Sequence, residues 1–598
     1  MGKVLFFAPH SGIWVHAFPE ALIAETLGKQ GDDVVYVTCG EVFREQCVVM
    51  DASRVGWQSD KQVREEICQR CRASSDLLRR EFHFPGYDLA TVLTNEDYAE
   101  AERILETVSP EGCHELRVDG VPVGRFAAYE LLLRHKKLQL KFTDLEWEEY
   151  KISLRYALLS LFGGRRILAA ERPDQIIVYN SLYSVNRTIC MLAEGRGIPH
   201  YFLHAGGNLA HRLQTLMFGR EWTFQYVRRL VDQWPLFRDR ACPADLMREI
   251  TDHLAVLLGA ESAFTFSTKT DGGSRDLPAF FGIQPGQRVL VATMSSYDER
   301  FAAEVVGALP NDLKLLFPRQ VDWIQALVEW ISTRSDLFLI IRVHPREFPD
   351  ARRGGGKSEH ARLLEQVFHH LPGNARVNWP TDQNSIYDLA DVADVFLNAW
   401  STAGKEMSLL GVPVVIYSSD LAAYPPEINY LGVTRTDYFA QIDQALKDGW
   451  SLERSRLTYR WLAVEYGYGL FDIRDAYTYR EHGRPSLGQR IVNRVKRNIN
   501  PLWLQQQDCR SRPATLFASP EISALVHGGH ATPLSLGSRV RAPASRSELE
   551  VEEQSLKVEL GRIAQLLYGK SGPPPGGKLA AHLWPLTQDT RIGAVRGV

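Results

Sequence analysis

No stretch of this 598-residue chain approaches the ~18 consecutive apolar residues that a membrane-crossing helix needs. A secretion signal is missing as well: MGKVLFFAPHSG is apolar for only about five residues before Pro9 and His10, too short for a signal core and better read as a first strand. A cytoplasmic protein is therefore expected. The net charge of −3 lacks the clustered Lys and Arg that dominate affinity for nucleic acid, so no nucleic-acid partner is expected. Eight cysteines without a secretion signal do not make a disulfide framework. What is present, 45% hydrophobic and 24% charged residues, is the composition of an ordinary globular protein, long enough for two large α/β domains with additions.

Cys39, Cys47, Cys68 and Cys71 lie close in sequence, the last two as a CxxC. Four sulfurs would complete a tetrahedral zinc site. The wide spacing of the first pair and the missing knuckle turn favour reduced structural thiols, so the expectation is no metal, with these four as the residual candidates.

Residues 1–215 read as one α/β unit. Strands over 3–8 and 33–38 flank a helix over about 15–30, and strands over 175–179 and 200–203 form a further βαβ pass. Between them, 60–170 repeats charged and apolar residues at helical spacing, a helical insertion. Turns at the strand ends carry His10, Ser11, Gly12, His16, Asn180 and His204, and small residues in such turns let a substrate approach closely. Residues 216–285 read as a helical connector ending in the linker TFSTKTDGGSRDLP, and 286–475 as a second α/β domain whose last helices return to the first. In 476–509, Arg490, Arg494, Lys496 and Arg497 alternate with Ile491, Val495, Ile499 and Trp503, so 488–504 reads as a helix on an anionic membrane surface or as a solvated terminal helix. Residues 510–598 turn rich in Ser, Pro, Ala and Gly and read as a poorly ordered, low-complexity tail with one helix.

The chemistry concentrates in 338–417. The apolar, β-branched run 338–343 is stopped by Pro345, so a buried strand delivers Arg342, His344 and Arg346 at its carboxyl end, where open α/β sheets bind ligands. A second buried strand over 392–398 is followed by Ser401, Thr402 and Gly404, then by Lys405 and Glu406 in a helix. A hydroxyl-rich helix start offers free N–H groups and a positive dipole end to an anion. An upstream turn presents Ser295 and Ser296 either to a ligand or as helix caps, the Ser-x-x-Glu spacing favouring caps.

The two-domain pattern, the HP dipeptide His344-Pro345, the Ser401-Thr402 pair, Glu406 and Gly411-Val-Pro together resemble GT-B glycosyltransferases of bacterial capsule and surface polysaccharide synthesis, over roughly 1–475. Among these, HP followed by S(S/T) resembles enzymes of cytidine-activated donors, the capsule Kdo transferases and sialyltransferases. The resemblance implies an α/β fold of two Rossmann-like domains facing a cleft, a metal-independent transferase without a cofactor, a donor that is CMP-linked and Kdo- or nonulosonate-like, and a growing glycan or glycolipid as acceptor at the inner membrane. It implies that His344 contacts the donor phosphate and Glu406 the ribose. The literal Asp-x-Asp that usually holds Mg²⁺ on a nucleotide diphosphate is absent, which leaves Arg342, His344, Lys405 and the 401–404 helix start to neutralise phosphate. The acidic triplet several sialyltransferases carry is also absent. The acceptor base is then sought among His16, the first choice, His204, His10 and Glu20. The alternatives are a CDP-glycerol-type glycerophosphotransferase, a UDP-sugar GT-B transferase and a non-catalytic polysaccharide-assembly scaffold.

Overall fold

A computed structural model describes residues 2–262, 264–266, 268–310, 313, 315–349, 356–476, 486–539, 542–569 and 572–587. The chain builds two sheets. The first contains β1 (Lys3–Phe7), β2 (Asp33–Thr38), β3 (Gly86–Asp88), β4 (Gln175–Tyr179), β5 (His200–Ala205) and β6 (Thr215–Arg220). The second contains β7 (Arg288–Thr293), β8 (Leu337–Arg342), β9 (Ala375–Asn378), β10 (Val395–Asn398), β11 (Val414–Ile416) and β12 (Tyr430–Leu431). A last strand, β13 (Phe471–Asp472), pairs antiparallel with β6, so the chain returns to the first sheet as expected.

The first sheet runs β13-β6-β5-β4-β1-β2-β3 and the second β12-β11-β10-β7-β8-β9. Counted from its own first strand, each has the doubly wound order, with the direction of winding reversing between β1 and β4 and between β7 and β10. Ligands bind at such reversals, outside the carboxyl ends of the strands. The expected pair of Rossmann-like domains, the GT-B architecture, is present. All six residues of β8 are buried, as a parallel strand covered on both faces requires. Val289 and Val291 point into one core layer while Leu290 and Ala292 point into the opposite one.

Three features depart from the sequence reading. The insertion is not purely helical, because it contributes β3 beside β2. The segment Gly-Tyr-Asp carries no β-branched signal, and its glycine is required: a Cβ at Gly86 would sit 2.0 Å from the Tyr36 carbonyl oxygen. β6 straddles the boundary expected at 215. The tail is built into the fold. Helix Ser519–His527 packs on helix Trp14–Lys29 of the first domain, and helix Arg546–Tyr568 packs on the connector helix Ala244–Gly259. Leu556, Leu560, Ile563, Ala564 and Leu567 join one core with the connector and the second sheet. Tyr568 then donates to the Asp391 carboxylate at 2.9 Å. Helix Arg546–Tyr568 is the one helix expected in the tail, and the 3.6-residue period of its apolar stripe is enough to bury one face. Residues 588–598 of the expected tail lie outside the described residues. Among the described residues no helix is long and apolar enough to cross a membrane.

A core role for the tail has a measurable consequence. Leu560 is fully buried, so Leu560→Ala is expected to cost ~2–5 kcal/mol in denaturant unfolding. A loss below about 0.5 kcal/mol, the usual size for a surface site, would place this helix outside the core.

Candidate functional site

Strand register brings Thr293, Arg342 and Asn398 side by side at the carboxyl edge of the second sheet. The Thr293 hydroxyl donates to Asn398 Oδ1 at 2.8 Å, and Asn398 Nδ2 donates to the Ser401 carbonyl at 2.9 Å, which fixes the turn after β10. Above this edge lies a cavity of about 280 Å³ lined by Arg342, His344, Pro345, Ser401, Thr402, Lys405 and Glu406. These are seven of the donor-side residues expected from the sequence, gathered at the winding reversal between β7 and β10.

Arg342 is buried and donates through one nitrogen to Asn378 Oδ1 at 2.5 Å and to the Asn384 carbonyl at 3.0 Å. Burial lowers its pKa to about 10, which leaves it cationic at neutral pH. His344 starts a short 3₁₀ turn, and its Nδ1 accepts the Arg346 backbone N–H at 3.2 Å. A neutral imidazole with Nδ1 as acceptor carries its proton on Nε2, so the ring offers a donor. Burial holds its pKa down at about 4, which keeps it neutral near pH 7. Lys405 is ion-paired to Glu465 at 2.5 Å. Glu406 accepts the Tyr387 hydroxyl on Oε2 at 2.8 Å, leaving Oε1 for a ligand hydroxyl.

Four expected donor-side residues do not line the cavity. Arg346 is fully buried, with Asp298 at 2.6 Å, and donates to the Leu133 carbonyl of the insertion at 3.0 Å, so its charge is spent on the framework. Ser295 exchanges two hydrogen bonds with the Gln320 side-chain amide, and its hydroxyl accepts the Trp400 N–H at 3.0 Å, bracing the loops rather than facing a ligand. Ser296 stands at the N-cap of helix Tyr297–Val305 without a capping bond; its hydroxyl donates to the Glu299 carboxylate at 2.6 Å. The capping boxes expected at Ser295-Asp298 and Ser296-Glu299 do not form, Asp298 being taken by Arg346. At Gly404 a Cβ would lie 2.3 Å from the Tyr424 hydroxyl and 2.4 Å from Asn398 Nδ2, so this glycine serves close packing under the turn.

The cavity is completed by groups the sequence reading missed: Gly207, His253, Phe264, Phe266, Glu465 and Tyr466. Phe266 comes from the segment read as a linker and Phe264 from the connector immediately before it. Glu465 and Tyr466 come from the return segment and cross onto the helix that starts after Ser401.

On the first domain, His16 stacks on Tyr179 with ring centroids 3.9 Å apart, and His204 stacks beside the same tyrosine at 5.8 Å. Burial lowers both pKa values, His204 to about 4. His10 faces Tyr183 edge-on at 5.5 Å but lines a separate small cavity with Glu130 and Asp51. Glu20 is buried, raised well above the usual carboxylate range by desolvation, and accepts the Tyr179 N–H at 2.9 Å, a structural task. The Ser11 hydroxyl donates to the Ala8 carbonyl, the Gly12 N–H donates to the Cys71 sulfur, and Asn180 adopts φ 57° to shape its turn. His16 and His204 are thus together, while His10, Ser11, Gly12 and Asn180 organise the turns around them.

Cys39, Cys47, Cys68 and Cys71 do converge on one small cavity. Among the described residues, no group of His, Cys, Asp and Glu is placed to hold a metal ion. Burial raises the thiols, Cys39 to about 12 and Cys71 to about 11, which disfavours the thiolates a metal would bind.

The buried neutral histidines set an acid limit on stability. In the unfolded chain each takes a proton near its ordinary value of 6.5, whereas His10 and His253 resist protonation to about 3 and His204 and His344 to about 4. Their contribution is fully present above about 6.5 and is lost as pH falls toward 4. Denaturant unfolding free energy is expected to drop through that window, each histidine contributing at most roughly 1.4 kcal/mol for every pH unit crossed. A profile flat down to about 4.5, where only carboxylates begin to titrate, would overturn this.

No family model matches the chain, and no curated protein matches it. Solved structures with some likeness include S. aureus MnaA with UDP, at 11% identity over 84% of this chain and 97% of that one, TM-score 0.24. UDP-GlcNAc 2-epimerase from Neisseria meningitidis, bound to UDP-GlcNAc, has 12% identity over 77% and 94%, TM-score 0.23. The spinosyn rhamnosyltransferase SpnG has 12% identity over 78% and 95%, TM-score 0.22. Likenesses this weak carry no argument, and the architecture rests on the strand order itself.

Proposed function

We propose that this chain is a GT-B glycosyltransferase that moves a sugar from a CMP-linked donor, Kdo- or nonulosonate-like, onto a growing surface polysaccharide or glycolipid. The observation that carries this reading is the convergence of Arg342, His344, Ser401, Thr402, Lys405 and Glu406 on one cavity at the winding reversal of the second domain. In this reading Arg342 supplies a fixed positive charge to the donor phosphate, and His344 donates Nε2–H to a phosphate oxygen. That bond strengthens as the nucleotide leaves and negative charge builds. Glu406 Oε1 accepts a ribose hydroxyl. Lys405 exchanges part of its pairing with Glu465 for the phosphate. No Asp-x-Asp is needed to hold a metal, because these cations meet the phosphate directly. On the facing domain, neutral His16 is competent to take the acceptor proton, with His204 next to it across Tyr179.

Thermal-shift titration with CMP, CDP and UDP tests the donor: stabilisation by CMP is expected, and stabilisation by UDP alone would sink the cytidine assignment. CDP acting far more strongly than CMP would favour the glycerophosphotransferase alternative. His344→Ala is expected to fold normally and lose about 10²-fold or more in turnover, as removal of a positioned proton donor does; undiminished transfer would remove His344 from the chemistry. Activity should persist in EDTA, and complete loss there would overturn metal independence.

We also propose that helix Leu487–Ile499 docks on an anionic membrane surface where a lipid-linked acceptor is presented. It has no buried residue and no acidic one; Leu487 and Ile499 are 78% and 81% exposed, and Ile491, Val492 and Val495 share the exposure. Arg490, Arg494, Lys496 and Arg497 supply the complementary charge. Co-sedimentation with phosphatidylglycerol vesicles, salt-sensitive and lost in Ile491→Asp/Val495→Asp, is the expected result. Equal binding by wild type and the double variant would remove this surface.

A further inference from the structure

Arg212 stands where the two halves of the cleft meet, with no acidic partner. Its guanidinium lies 4.6 Å over the ring of Phe264, which lines the donor cavity, and donates to the Gly206 carbonyl at 3.1 Å, next to cavity-lining Gly207. On its other side are Tyr179 and Tyr183, the rings against which His16 packs. The adjacent His211 has Asp252 at 3.5 Å, and the nearby Glu465 is paired with Lys405, so the acids of this region are committed elsewhere. Among the described residues Arg212 makes no ion pair. A largely desolvated guanidinium with one neutral acceptor and a ring face is costly to keep charged, and an incoming anion is what would offset that cost. Its planar fork suits carboxylate or phosphate, which it grips with two parallel bonds.

We propose that Arg212 is the anion-reading group on the sugar side of the cleft, binding a carboxylate or phosphate carried by the transferred sugar or by the acceptor glycan. This rests on the nucleotide-sugar reading of the same site and adds a specificity-determining residue to it, the guanidinium that reads the acidic group of one of the two saccharides. The position explains the choice of residue. Donor phosphate already has Arg342, His344 and Lys405, while on the histidine side of the cleft Arg212 is the cation that acts on Tyr179 among the described residues. The Phe264 ring backs one side of the guanidinium at 4.6 Å.

The test titrates the full-length protein by NMR with N-acetylneuraminate, methyl glucuronoside, glucose 1-phosphate and neutral glucose, each with and without saturating CMP. At least one anionic saccharide is expected to bind about 10-fold or more tighter than glucose, the size of a charge-assisted bond. Arg212→Met, which keeps the stem on Phe264, should abolish that preference while leaving CMP affinity within about 2-fold. Arg212→Lys should retain part of the preference, since it keeps the charge and loses the fork. An N-acetylneuraminate preference strengthened by CMP assigns the anion to the donor sugar, and a preference for either of the other two anions, independent of CMP, assigns it to the acceptor. No anionic preference in the wild type, or one that survives in Arg212→Met, overturns the inference. If Arg212→Met does not fold, by circular dichroism, the wild-type panel and Arg212→Lys decide: a preference undiminished in Arg212→Lys counts against fork recognition. CMP failing to bind the wild type would sink the donor reading instead, and the saccharide panel without CMP would still report on Arg212.

Discussion

The buried pair Arg346–Asp298 holds the geometry on which the rest depends. Both side chains are almost wholly withdrawn from water, at 0% and 1% exposure, so each charge depends on the other for compensation. Asp298 meets the guanidinium through both carboxylate oxygens, and the Leu133 carbonyl takes a further proton. Leu133 belongs to the insertion of the first domain, so this one arginine fastens the loop after β8 across the interface. The same stretch is stitched at three more points: Lys136 donates to the Phe348 carbonyl, Glu359 accepts the Leu138 N–H, and Lys137 pairs with Glu359. The backbone N–H of Arg346 also sets the tautomer of His344. The backbone of a residue whose side chain does not line the cavity thereby fixes which nitrogen of His344 carries the proton.

This explains why the sequence was partly legible. Arg342 and Arg346 are the same residue type, four positions apart around one proline. One ends a strand and lines the cavity; the other lies within a 3₁₀ turn and is bonded to Asp298 and the Leu133 carbonyl instead. Spacing cannot separate them, because the direction of the chain after Pro345 is set by Asp298 and Leu133, distant in sequence. The strand ends were readable since apolar β-branched runs halted by proline or by small residues leave little choice of structure. Ser295, Ser296 and Gly404 fitted the local pattern of ligand-binding turns but answer to Gln320, Glu299 and Tyr424, partners that only the fold supplies. Phe264, Phe266 and Glu465 were invisible for the reverse reason: their segments read as connector, linker and return helix, and only three-dimensional crossing brings them to the cavity.

The charges across the cleft are unevenly distributed. In the second domain's cavity Arg342 and Lys405 stand against Glu406 and Glu465, which in the proposed reading is a balance suited to admitting phosphate without trapping it. The facing side is built from imidazoles kept neutral by burial. In the proposed reading neutrality there serves two ends at once: a neutral histidine can accept a proton, and it adds no cation to compete for phosphate. Arg212 is the exception on that side, and it sits at the seam, nearest to the cavity rim at Phe264.

The ordered tail changes what motion such a cleft can make. Ile522, Leu525 and Val526 are packed into the first domain, Glu552 is bonded to Arg460 of the return helix at 2.5 Å, and Lys578 and Ala580 engage Asp391 of the second domain through backbone N–H groups. A wide hinge opening would have to peel one of these anchors away, exposing leucines of the common core. Closure moving as a small shear is compatible with all of them, since side chains in a packed interface slide by an ångström or so without unpacking. The cavity is also roofed by Phe264 and Phe266 from one domain-spanning segment. In the proposed reading, substrate entry is more readily accommodated by local movement around these two rings than by separation of the sheets, and the interdomain ion pairs can remain intact throughout.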